Sequence, residues 1–100
     1  MDDETSTDDF AAARDLLDDS RRRLREVPAE TVITNHVMGL YELAAIHLSD
    51  AQPDLHSAKL AIDAVGCLVE GLGSRLGPET ETMAEALSTL RMAFVQVKGA

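Results

Sequence analysis

Three histidines, one cysteine, a run of arginines and a glycine-rich turn are the residues whose types could do chemistry in this chain. His36 and His47 lie about 20° apart on a helical wheel. They are also about 16 Å apart along a helix axis, so one metal ion cannot reach both. His47 with Asp50 three residues on, and Glu42 nearby, make part of a ligand set. No further cluster of Cys or His completes it, and histidines flanking a buried face or a subunit interface are the stronger reading. Cys67 has no Cys-x-x-Cys partner, and its neighbours are Glu70 and apolar residues. A reactive thiol needs a nearby cation or a helix N-terminus, so Cys67 is expected to be a small buried side chain.

The run Gly71-Leu72-Gly73-Ser74-Arg75-Leu76-Gly77 is not a phosphate loop. It lacks the G-x-G-x-x-G spacing and follows a helical pattern instead of a strand. A helix C-terminus also presents carbonyls, the wrong polarity for phosphate. No paired carboxylates and no oriented Ser, His and Asp stand out. The sequence therefore points away from an enzyme, and it carries no cofactor or metal motif.

Arg21, Arg22, Arg23 and Arg25 form the one basic cluster and a candidate partner contact. Asp18 and Asp19 precede Arg22 and Arg23 by four residues, the favourable order for ion pairs within a helix. A solvated, self-paired helix face is the stronger reading; a contact to ribosomal RNA is the sharper one.

The elements that position these residues all read as helices. Val32–Leu48, VITNHVMGLYELAAIHL, is the most apolar stretch, and the chain is organised around it. Asn35, Gly39, Glu42 and Ser49 share one narrow arc, and apolar residues fill most of the rest. Such a helix needs more than one neighbour. It falls short of about 20 apolar residues and carries Glu42 and two histidines, so it is not a membrane span.

Before it, Phe10, Ala13, Leu17, Leu24 and Val27 mark a helix over 8–26, after an acidic segment 1–7 expected to be disordered. Pro28 ends that helix or begins the next. After it, Pro53 breaks the chain and Asp54 is placed to cap the following helix. Leu55, Ala58, Ala61, Ile62, Val65, Leu68, Val69 and Leu72 make its stripe, which stops at Gly77-Pro78. Met83, Leu87, Leu90, Phe94 and Val97 form a heptad-like seam on the last helix.

Composition sets the outer bounds. One hundred residues make a single domain, 8–100. The hydrophobic content of 45% is ordinary, but few aromatics mean a core of Leu, Val, Ile, Met and Ala. The net charge is −9, from nine acids against five bases before Pro28 and nine against four after it. That acidity disfavours DNA and other phosphate backbones. One cysteine excludes an internal disulfide, and MDDETSTDD is no secretory signal, so a cytoplasmic protein is expected.

A turn centred near Gly77 would pair positions of the last two helices whose numbers add to about 154, and so bring Asp63 to Arg91. The stretch Asp54-Leu55, Ala58-Lys59, Ala61-Ile62-Asp63, a Gly-Pro-Glu turn, then Leu87 and Leu90-Arg91-Met92-Ala93-Phe94-Val95-Gln96-Val97 resembles the small bacterial family named domain of unknown function 1844. The likeness spans residues 32–97. It departs from the family in a shortened turn at Gly77-Pro78 and in Phe94, where the family has a tyrosine. The resemblance implies an all-helical cytoplasmic bacterial protein of unassigned function, with actinobacterial members beside translation genes. It also places Asp63 and Arg91 on motif positions.

The fold expected is all-α: an antiparallel bundle of helices 29–49, 54–73 and 78–97 with an N-terminal helix, completed by dimerisation. One chain supplies too few neighbours for Val32–Leu48, so Ile33, Val37, Leu40, Tyr41, Ala44 and Leu48 are the expected homodimer interface. Three functions fit: a non-catalytic homo-oligomeric adapter that binds another protein, a ribosome-associated factor, or a ligand-binding protein or enzyme with an interhelical pocket near His36, His47 or Cys67.

Overall fold

A computed structural model describes residues 2–100, with side chains from Thr7 onward. The chain is all-helical: α1 Asp2–Glu26, α2 Ala29–Ser49, α3 Leu55–Leu72, a 3-10 segment Gly73–Glu79, and α4 Thr80–Lys98. There is no strand among the described residues. α1 begins at Asp2, ahead of the boundary expected at residue 8. No Gly or Pro interrupts the chain before Pro28. Met1 lies outside the described residues.

The core is built by α2, α3, α4 and the 3-10 segment. Val37, Ala44 and Leu48 of α2 meet Ala58, Ala61, Ile62, Val65 and Val69 of α3, with Met83, Leu87 and Leu90 of α4. Leu76 of the 3-10 segment, 1% exposed, closes one end. The α3 and α4 stripes read from the sequence are these buried faces; small residues at Ala58, Ala61 and Gly66 let α3 sit close to its neighbours.

The expected interface on α2 is corrected by this packing. Val37, Ala44 and Leu48 are buried within the chain, and Leu40 and Tyr41 pack against the same cluster. Only Ile33 stays exposed. α3 and α4 already cover that face, so it is closed to a second copy. Nor is α2 buried on most of its circumference: Met38, Leu43 and Ile46 are exposed on its other sides.

α1 contributes nothing to the core. Phe10, Leu16, Leu17, Leu24 and Val27 are all exposed. The chain measures 67 × 34 × 15 Å. Its long axis approaches the combined length of α1 and α2 at about 1.5 Å per residue, so α1 points away from the three packed helices. Pro28, with φ −55° and ψ 136°, is the elbow. It has no N–H to donate, and its extended ψ breaks the run of helical dihedrals.

Candidate functional site

The residues singled out in the sequence do not converge. His36 is exposed on the outer side of α2, and its Nδ1 lies 2.8 Å from the Val32 carbonyl oxygen one turn back. His47 is half-buried near the other end of α2, where its carbonyl accepts from the Asp54 N–H at 3.1 Å. Among the described residues, no three His, Cys, Asp or Glu side chains come together as a metal ion would need. Cys67 is exposed, which corrects the expectation of burial. α3 buries Ile62, Val65, Gly66 and Val69, and Cys67 falls on the opposite side of the helix. His36, His47 and Cys67 therefore share no interhelical pocket.

Asp63 and Arg91 do not pair. Lys59 Nζ holds Asp63 Oδ2 at 2.6 Å, one turn along α3. Arg91 instead takes Glu70 with two parallel bonds, Nη2 to Oε1 at 2.8 Å and Nη1 to Oε2 at 3.2 Å. The backbone register was close: Thr80 donates to the Gly73 carbonyl, and Leu87 lies beside Gly66. The error lies in side-chain direction. Helical side chains lean toward their own N-terminus. Arg91 thus leans back toward the 3-10 segment, to the end of α3 that carries Glu70, and Glu70 leans out to meet it. The guanidinium lowers the Glu70 carboxyl below its usual value, and Glu70 raises Arg91 in return. Both groups are exposed, so the bridge fixes orientation more than it adds stability.

On α1, Arg21 pairs with Asp18 at 3.8 Å and Arg22 pairs with Asp19. The ion pairs step three residues and not four. Arg23 and Arg25 carry no ion pair among the described residues, so half of the basic cluster is self-neutralised. The Arg14 guanidinium lies over the Phe10 ring, 5.6 Å from its centre.

Surfaces, not pockets, are what the chain offers. A groove at the elbow is lined by Leu24, Val27 and Pro28, with the charged Arg25 and Glu26, from the α1 side and by Ala29, Val32 and Ile33 from α2. It joins the apolar stripe of α1 to the outer side of α2. The stripe was legible in the sequence. The apolar part of the outer side of α2 was not, because apolar residues fill most of that helix outside the arc of Asn35, Gly39, Glu42 and Ser49 and the wheel alone assigns them no partner.

Among the described residues, no helix is long and apolar enough to cross a membrane. No family model, curated protein or solved structure matches the chain.

Proposed function

We propose that this chain is a non-catalytic homo-oligomeric interaction protein, an adapter whose three packed helices form an antiparallel bundle completed by a second copy. The observation that carries this reading is uncovered surface. A compact monomer of 10.8 kDa exposes about 5,500 Å²; this chain exposes 7476 Å². Its radius of gyration is 19.7 Å, against about 13 Å for a compact domain of the same length. The surplus, about 1,900 Å², is in the range one subunit buries in an obligate dimer. The bundle is supported by its short links and by Thr80 reaching Gly73 while Leu87 reaches Gly66.

Mass in solution tests it. Sedimentation equilibrium at micromolar concentration is expected to give twice the chain mass, and a monomer there overturns the reading. A second reading, a ribosome-associated factor, has Arg23 and Arg25 in its favour, exposed and without an ion pair. It expects co-sedimentation with ribosomes at low salt that is lost when both are replaced by alanine. The acidic remainder of the chain weighs against it.

A further inference from the structure

Two seams of this chain, exposed except for the half-buried Val32, mirror each other about Pro28. On α1, Phe10, Ala13, Leu17, Ser20 and Leu24 follow steps of 3, 4, 3 and 4. On the outer side of α2, Val32, His36, Gly39, Leu43 and Ile46 follow steps of 4, 3, 4 and 3. That side lies opposite the buried face of Val37, Ala44 and Leu48. Each step away from Pro28 on one helix is repeated on the other. Leu24 and Val32, the innermost members, line one groove across the elbow, so both seams open on the same side.

A pattern with this symmetry fits its own copy turned through two-fold rotation. We propose that the chain dimerises by exchanging its N-terminal helices: α1 of each copy lies antiparallel along the outer side of α2 in the other, with the two Pro28 elbows at the axis. This inference rests on the homo-oligomeric reading above and names its surface. Steps of 3 and 4 on both helices are those of a coiled-coil seam.

The register follows from the mirror. Leu17 meets the partner's Gly39, and Ala13 meets the partner's Leu43, so a large side chain faces a small one each time. No atom comes within 4 Å of a Cβ placed on Gly39, so the chain itself leaves that gap open. Ser20 meets the partner's His36, the polar member of one seam on the polar member of the other. Phe10 closes the outer end on the partner's Ile46; in the single chain these two are 68% and 63% exposed. Pairing α1 with α1 in parallel would instead set two Arg21–Arg25 clusters side by side. A C2 contact of this kind closes on itself and needs no further copy.

Cysteine cross-linking tests it on the full chain, with Cys67→Ser as background. Leu17→Cys and Gly39→Cys stand about 30 Å apart within one chain, so a disulfide between them must join two chains. Oxidation at micromolar concentration is expected to give at least tenfold more covalent dimer from the double variant than from either single one. The second pair, Ala13→Cys with Leu43→Cys, is expected to do the same. If the parent is dimeric by mass but neither pair cross-links, or Leu17→Cys joins its own copy alone, the helix exchange is overturned and the homo-oligomer stands. A monomeric parent overturns both.

Discussion

Asp54 shows how a single side chain sets an element, and how that can be measured. Its carboxylate accepts from the Ser57 N–H at 3.0 Å and the Ser57 hydroxyl at 2.8 Å, capping the first turn of α3. The backbone bond from Ser57 is the main reason that its pKa falls below 3.8, with the Ser57 hydroxyl second. A depressed folded pKa gives stability that is complete above the unfolded value and is lost as pH falls through the folded one. Asp54→Ala is therefore expected to lower the melting temperature at pH 7, with the gap from the parent narrowing below about pH 4. Asp54→Asn keeps an acceptor at every pH and is expected to hold a stability that does not follow this titration.

Glycines divide by backbone angle. Gly73 and Gly77 have φ of 54° and 73° with ψ near the extended range, which side chains with a Cβ avoid. Alanine at either is expected to cost about 1–3 kcal/mol in urea unfolding. Gly71 lies inside α3 with open space around it, so Gly71→Ala is expected to stabilise by about 0.5–1 kcal/mol.

At the scale of elements, the 3-10 segment is the connection that the three packed helices depend on. Leu76 drops into the core, Glu30 of α2 lies against Gly77, and the Thr80 hydroxyl donates to the Gly77 carbonyl at 2.6 Å. Leu76→Ala is expected to destabilise by about 2–5 kcal/mol, read by chemical unfolding, because the cavity opens where three elements meet. The buried stripes of α3 and α4 were legible because apolar residues at i, i+3 and i+4 stand against polar ones. The Asp54 cap was legible because local chemistry fixes it within a few residues. The backbone does break at Gly77, but α3 itself ends earlier, at Leu72, where Gly73 takes a positive φ and a 3-10 segment begins.

α2 gave no such contrast. Apolar residues flank its narrow arc of Asn35, Gly39, Glu42 and Ser49 on both edges, and which of them meet α3 depends on contacts distant in sequence. Cys67 failed for the mirror reason: a small apolar residue is tolerated on either side of α3, and only packing assigns it outward. Arg91 failed on direction, since number spacing places Cα atoms and not the tips of long side chains.

At the scale of the molecule, α1 poses an energetic problem that the proposed association would resolve. An isolated helix in water is held by little beyond its own hydrogen bonds and local pairs, and its nucleation is unfavourable. α1 adds exposed Phe10, Leu17 and Leu24 to that cost. Laid on a partner, the same residues become the favourable term, and folding is then coupled to chain concentration. Because a bound partner stabilises by mass action, each tenfold rise in concentration contributes about 0.7 kcal/mol per chain to a dimer. For a domain of this size that shifts the midpoint of thermal unfolding by about 3–6 °C. Melting curves across a hundredfold concentration range are expected to climb by twice that. Hydrogen exchange is expected to locate the gain: α1 amides protected at high concentration and fast at low, with α3 amides changing far less. A midpoint that does not move with concentration would mean that α1 stands uncovered, and the mirror about Pro28 would then have no structural consequence.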